Sequence, residues 1–300
     1  MMFGSLITAM ITPFKAEDEY QIDYEAVGRL VEHLVKNGTD SLIVTGTTGE
    51  SPTLKHEEEL ELFKAVKAKV TELGTDTKII FGAGSNCTRT AIESSKNAEA
   101  LGADGLLIVT PYYNKPSQAG MITHFSRIAE ATNLPIILYN IPGRCVIDMQ
   151  ATTIIELARK YTNIVGLKEA SNNIDQVTEI KAAVPDFKIY SGDDSLTLAM
   201  MSCGGDGVVS VASHLVGTEM KQMMDLFQAG DTKAAEKINK RLFPLYGALF
   251  LEPNPTCTKA ALGIMNICSP RLRSPMVELQ ESQLAALKQT LEQTVPALSV

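Results

Sequence analysis

Ile164-Val165-Gly166-Leu167-Lys168-Glu169-Ala170 reads as a short apolar strand, bounded by Asn163 upstream and by Ser171-Asn172-Asn173 downstream. It carries Lys168 at a position where an inward-facing strand residue is ordinarily apolar. Taking an ammonium out of water costs on the order of several kcal/mol unless the charge is paired, so a buried lysine tends to shed its proton, and a neutral amine is a nucleophile. Lys168 therefore has two readings: an amine that snorkels to a strand end or pairs with a carboxylate, or one held neutral for chemistry.

The fold around the strand bears on that choice, and the strand is one of a series. Apolar runs of strand length recur at residues 5–12, 41–45, 78–82, 105–110, 135–139, 164–168, 188–191 and 207–211. Amphipathic stretches lie between them. Residues 23–36 place Val27, Leu30, Val31, Leu34 and Val35 on one helical face, and residues 57–73 space Leu60, Phe63, Val66, Lys67 and Val70 in the same way. Helical patterns continue at residues 89–101, 121–131, 153–161, 174–184 and 195–203. Eight such repeats predict an α/β fold, a (β/α)8 TIM barrel. A doubly wound sheet is the alternative, but it usually carries a glycine-rich phosphate turn after its first strand, and no G-x-G-x-x-G occurs in the sequence.

After residue 211 the strand-like runs stop. Residues 215–228, 232–251, 256–266 and 276–294 read as helices, with Glu252-Pro253-Asn254-Pro255 and Ser269-Pro270 as breaks. We expect a barrel carrying the active site over residues 1–225 and a C-terminal helical extension, packed on the barrel, over residues 226–300. At 300 residues and 45% hydrophobic content the chain can bury a large core. The net charge of -8, with no run of Lys or Arg, argues against a nucleic-acid surface and gives no patch for an anionic membrane. An anionic substrate then needs locally placed cations.

Cys87, Cys145, Cys203, Cys257 and Cys268 are scattered and include no C-x-x-C pair, which is neither a disulfide framework nor a zinc pattern. His33, His56, His124 and His214 show no H-x-x-x-H spacing and read as ordinary helix or surface histidines, so no metal is expected. The apolar residues 5–10 are followed by Pro13, and the first basic residue is Lys15, which suits a strand rather than a signal peptide or membrane span. A cytoplasmic location is expected.

In a barrel of this type the active-site residues gather at the C-terminal ends of the strands. Lys78 and Lys188 open their strands, where a solvated role is the ordinary reading, whereas Lys168 closes its strand. The second strand ends in Gly46-Thr47-Thr48-Gly49-Glu50, a turn whose hydroxyls and backbone N–H groups suit a carboxylate, although such turns also commonly lead into helices. The fourth ends in Pro111-Tyr112-Tyr113-Asn114 and the fifth in Tyr139-Asn140-Ile141-Pro142-Gly143-Arg144. These tyrosines are packing residues or proton relays.

Together with Gly166-Leu167-Lys168-Glu169-Ala170, Ser191-Gly192-Asp193-Asp194 and Glu252-Pro253-Asn254-Pro255, these motifs resemble the dihydrodipicolinate synthases, also called 4-hydroxy-tetrahydrodipicolinate synthases. The resemblance runs in order from residue 4 to about residue 275. It implies a class I, pyruvate-dependent aldolase that condenses pyruvate with L-aspartate 4-semialdehyde and needs no metal or organic cofactor. Carried over residue by residue, it makes Lys168 the Schiff-base lysine, Tyr139 the general acid and base, and Thr47 and Tyr113 the rest of a proton relay. The residue matching Tyr113 reaches into the neighbouring subunit's site in the family, so a homodimer is implied as the catalytic unit and a homotetramer as the usual assembly. Thr48 would hold the pyruvate carboxylate, Arg144 the carboxylate of the aldehyde, and Gly192 and Val209 would line the pocket. Desolvation and Arg144 should both depress the Lys168 pKa.

N-acetylneuraminate lyase and the 2-keto-3-deoxy sugar-acid aldolases share the lysine and tyrosine and are the rivals, with a non-catalytic barrel scaffold as the alternative from another class. Thr48 beside Thr47, and above all Arg144, speak for the first reading. The family's lysine-effector positions read Ser51, Pro52, His56, Glu59, Asn86, Thr90 and Tyr112 here. Glu59 stands where the lysine-sensitive pattern has histidine and Thr90 where it has glutamate, which predicts weak or absent feedback by lysine, with His56 and Glu59 as plain exposed residues.

Overall fold

Strand and helix alternate as the apolar periodicity dictates. The computed structural model describes residues 2–295. Eight parallel strands close into a barrel in chain order: β1 (Leu6–Ala9), β2 (Ser41–Val44), β3 (Lys78–Gly82), β4 (Gly105–Val109), β5 (Ile136–Asn140), β6 (Ile164–Glu169), β7 (Lys188–Ser191) and β8 (Gly207–Ser210). The helices are α1 (Tyr24–Lys36), α2 (His56–Leu73), α3 (Thr88–Ala100), α4 (Gln118–Ala129), the single turn α5 (Pro142–Cys145), α6 (Ala151–Lys160), α7 (Ile174–Ala183), α8 (Thr197–Ser202) and α9 (Ser213–Gln228). They are followed by α10 (Thr232–Ala248), α11 (Thr256–Ile264) and α12 (Glu281–Thr294). This is the (β/α)8 TIM barrel, extended by helices at its C-terminal end. No described helix is long and apolar enough to cross a membrane.

Apart from β1, each strand begins and ends within about one residue of the boundary read from the apolar pattern. β1 stops earlier than its apolar run. Met10 still donates to Ile43 O at 3.0 Å, but the next amide, Ile11 N, donates to His214 Nε2 at 3.2 Å and so leaves the ladder. β6 runs one residue longer than expected and takes in Glu169. α12 begins at Glu281 rather than residue 276, because Gln280 and Gln283 form a reciprocal cap there.

By its internal contacts the chain divides into two units. One comprises the segment up to Lys78 together with the segment from Ser210 onward, and the other is Ile79–Val209. Within the first, α1 packs on α2, α9 on α10, and α12 on both α10 and α11. The buried line of α1 is Ala26, Val27, Leu30, Val31 and Leu34. That of α2 passes through Leu62, Phe63, Val66 and Val70, while Leu60 and Lys67 lie at its margin, a correction to the predicted face. Asp40 secures the start of β1 by accepting from Ser5 N at 2.8 Å and Leu6 N at 2.9 Å.

His214 is fully buried in this unit, not a surface residue. Its Nδ1–H donates to Val211 O at 2.8 Å and its Nε2 accepts from Ile11, so the ring is a neutral tautomer, and burial pushes its pKa down to about 4. In the second unit His124 is also buried, with Thr88 Oγ1 at 2.9 Å, and is likewise pushed down to about 4 by burial. Both are structural. Lys188, at the start of β7, pairs with Asp206 at 3.1 Å and is part-exposed, as expected of a strand-opening lysine. The five cysteines are free thiols.

Candidate active site

In the second unit, strand register sets Tyr139 of β5 beside Lys168 of β6, and Lys168 beside Tyr190 of β7. Lys168 is 6% exposed, and its Nζ stands 4.3 Å from the centroid of the Tyr139 ring. Burial pushes the Lys168 pKa down to about 8; the carboxylate of Asp194 pulls the other way, and the Arg144 guanidinium assists burial. At pH 7 such an amine is neutral in about one molecule in ten, a gain of roughly two to three orders of magnitude over an ordinary lysine. The expected push from desolvation and Arg144 is present. Asp194, which the motif reading left without a role, is the carboxylate that limits the push.

Asp194 is itself buried, at the start of a short 3-10 turn (Asp194–Leu196) whose cap is Asp193, which accepts from Ser195 N at 2.8 Å. Two acids therefore follow Gly192 where capping needs only one, and that surplus was the signal available in the sequence. Gly192 donates its amide to Glu169 O at 2.7 Å, and a Cβ there would come within 2.6 Å of Ala170 Cβ, so the turn can approach the end of β6 only with glycine. Val209 lies in β8 and is buried.

Behind Lys168 is a buried polar network that sequence reading missed. Glu169 accepts from Ser171 N at 2.6 Å, from Gln176 Nε2 at 2.8 Å and from Asn140 Nδ2 at 3.3 Å. Burial raises the Glu169 pKa against those donors. Asn140 Nδ2 also donates to Asp148 at 2.6 Å, and its Oδ1 accepts from Met149 N at 3.0 Å. The network ties the ends of β5 and β6 to the loop that carries Arg144, whose side chain is exposed on the turn α5.

Tyr113 is not gathered with Lys168 in this way. It is 89% exposed and holds a positive φ of 74° without being glycine. Tyr112 is 41% exposed. Asn114 Nδ2 donates to Asn86 O at 2.9 Å, and Asn86 is half-buried.

In the first unit, the turn after β2 carries Thr47, half-buried, and Thr48, 3% exposed. Gly49 N donates to Gly46 O at 3.0 Å, Glu50 N to Thr47 O at 3.0 Å and Ser51 N to Gly46 O at 3.3 Å. Those amides are used inside the turn, which narrows the expected anion donors to the Thr47 and Thr48 amides and hydroxyls. Ser51 opens a 3-10 turn (Ser51–Thr53). His56 is exposed as expected, but the Glu59 side chain is only 17% exposed and 3.4 Å from His56 Nδ1. Burial pushes Glu59 up to about 7, with His56 pulling it back, so the expectation of a plain exposed carboxylate is corrected.

Among relatives, the chain is 50% identical over 289 residues to 4-hydroxy-tetrahydrodipicolinate synthase 1 of Halalkalibacterium halodurans, covering 96% of each chain. It is 46% identical over 294 residues to the 4-hydroxy-tetrahydrodipicolinate synthase of Bacillus subtilis, covering 98% of this chain and 100% of the other. Its fold superimposes with a TM-score of 0.95 and 47% identity on the lysine-bound crystal structure of the dihydrodipicolinate synthase from Cyanidioschyzon merolae, over 98% of both chains. Residues 2–294 match the sequence model of the dihydrodipicolinate synthetase family, and the chain belongs to that family.

Proposed function

We infer that this chain is a 4-hydroxy-tetrahydrodipicolinate synthase, a lyase of lysine and diaminopimelate biosynthesis that condenses pyruvate with L-aspartate 4-semialdehyde on a Schiff-base lysine. The observation that carries the reading is the buried Lys168 amine against the Tyr139 ring, its pKa lowered to about 8. Neutral Lys168 Nζ adds to the keto carbon of pyruvate, the oxygen leaves as water, and an iminium results. That cation is an electron sink. A methyl proton leaves, and the enamine so formed attacks the aldehyde carbon, whose oxygen takes up a proton. The amino group of the condensed semialdehyde then adds to the iminium carbon and expels the Lys168 amine as the ring closes.

Tyr139 moves the protons at the reacting carbon, with Thr47 and Tyr113 completing the relay. Thr48, with the Thr47 and Thr48 amides, holds the pyruvate carboxylate, Arg144 binds the carboxylate of the semialdehyde, and Gly192 and Val209 shape the pocket wall. The eight strands form one closed parallel barrel, a fold whose active sites are built at the C-terminal strand ends, and these residues follow or close their strands, which supports the assignment. A tyrosine 89% exposed on strained backbone suits a side chain destined for a neighbouring subunit, which supports a homodimer as the catalytic unit, within the homotetramer that the family resemblance implies.

Borohydride reduction in the presence of pyruvate, followed by peptide mass mapping, should place the adduct on Lys168. With the adduct established, turnover should favour aspartate semialdehyde over N-acetylmannosamine and glyceraldehyde. A preference for either sugar-type acceptor would overturn the role of Arg144.

Lysine regulates this chain weakly or not at all. Ser51, His56, Asn86 and Tyr112 keep the effector pattern, but Thr90 offers no carboxylate to an effector's ammonium, and Glu59 replaces a histidine with a half-buried acid that titrates near neutrality. Steady-state rates should be unchanged by micromolar lysine, and inhibition in that range would refute the assignment.

A further inference from the structure

Thr48 Oγ1 accepts a hydrogen bond from Asn254 Nδ2 at 2.8 Å, and both residues are buried. A threonine hydroxyl has one hydrogen and two lone pairs, and an amide nitrogen offers only hydrogens. The contact therefore takes a lone pair of Thr48 and leaves its single hydrogen for a different acceptor. We propose that Asn254 is a positioning residue for pyruvate binding, presetting the Thr48 hydroxyl as a donor to the substrate carboxylate. The proposal rests on the reading of Thr48 as a carboxylate ligand. A free hydroxyl must be turned when an anion arrives, whereas one already oriented requires no reorganisation on binding.

The segment that supplies Asn254 also grips the rest of the turn. Glu50, two residues after Thr48, has a left-handed φ of 56° and is 3% exposed. Its Oε1 lies 2.5 Å from Lys259 Nζ, and its Oε2 accepts from Arg273 N at 3.0 Å. Lys259 Nζ also donates to Arg271 O at 2.8 Å and stands 3.9 Å from the centroid of the Phe14 ring. Between these points, Thr12 Oγ1 donates to Gly49 O at 2.7 Å. The main chain of the turn is thus held on both sides of Gly49, which leaves Asn254 to decide where the Thr48 hydrogen points.

A double-mutant cycle on the KM for pyruvate tests this, using Thr48→Val and Asn254→Leu, both close in shape to the residues they replace. Thr48→Val should raise that KM about tenfold to a hundredfold, the range of a hydrogen bond to a charged group. Asn254→Leu should raise it about threefold to tenfold with kcat nearly unchanged, the signature of lost uniform binding. The two should not multiply: in the Thr48→Val background Asn254→Leu should add nothing. If Asn254→Leu does not fold, Asn254→Asp, of the same shape but with only acceptors facing Thr48, carries the same cycle. An equal rise in KM in both backgrounds would reduce Asn254 to a structural role and overturn the proposal. A fall in KM with Asn254→Leu would show that Thr48 donates to Asn254, which also overturns it. An unchanged KM in Thr48→Val would remove the carboxylate role of Thr48 itself, a failure visible before Asn254 is touched.

Discussion

Lys168→Arg leaves no borohydride-trappable pyruvate adduct and lowers kcat/KM by about four orders of magnitude or more, the scale on which loss of a covalent nucleophile is felt. Arginine keeps the positive charge but is not deprotonated in proteins, so a barrel that merely needed a cation at this point would survive the change. The wild-type pH profile supplies a second reading of the same group. An amine is nucleophilic above its pKa, so the rate of adduct formation should rise about tenfold per pH unit below the Lys168 pKa of about 8 and level off above it. The two neighbouring charges should move that midpoint in opposite directions. Asp194 favours the ammonium, so Asp194→Asn lowers the midpoint; Arg144 disfavours it, so Arg144→Leu raises it. Single-turnover trapping of labelled pyruvate across pH 6 to 10 checks all three, and a profile that ignores both substitutions would contradict the electrostatic account of the lysine.

Lys259→Met should destabilise the chain by about 3–5 kcal/mol, the usual cost of breaking a buried ion pair by removing one partner. Lys259 and Glu50 have side chains 0% and 2% exposed and stand 2.5 Å apart, so the substitution leaves a buried carboxylate without its cation, while its other oxygen still accepts from the Arg273 amide. Burial already pushes Lys259 down to about 8 against the pull of Glu50, which shows how costly the site is for charge. Adding Glu50→Gln to Lys259→Met removes the stranded charge and should recover a large part of the loss. Urea unfolding read by circular dichroism measures both variants. A loss below about 1 kcal/mol for Lys259→Met would mean that the pair is no stronger than an exposed one.

The barrel was legible because burial on both faces writes strands as apolar runs and burial on one face writes helices at a period of 3.6, and those two signals survive without knowledge of the partners. The lysine was legible for the converse reason, as a charge inside such a run. What the sequence concealed are residues whose meaning depends on what they meet. Lys259, in a helix with Thr258, Ala260 and Ala261 beside it, looks like the usual exposed lysine of an amphipathic helix, yet it is enclosed, because Glu50 and the Phe14 ring come from far away in the chain. Asn140 and Asn254 sit where asparagine normally marks a turn, and their amides instead donate to buried Glu169 and Thr48. Glu59 looks solvated by composition and is half-enclosed by packing.

The grip of the C-terminal segment on the turn after β2 has a consequence for synthesis. Asn254 follows Thr48 by 206 residues, and Arg273 follows Glu50 by 223. At ribosomal rates of about 5–20 residues per second, the turn after β2 waits roughly 10–40 s between its own synthesis and that of the residues that secure it. A nascent chain in which every residue from Thr47 to Val209 has been made therefore still lacks the contacts that hold this turn until Asn254, Lys259 and Arg273 follow.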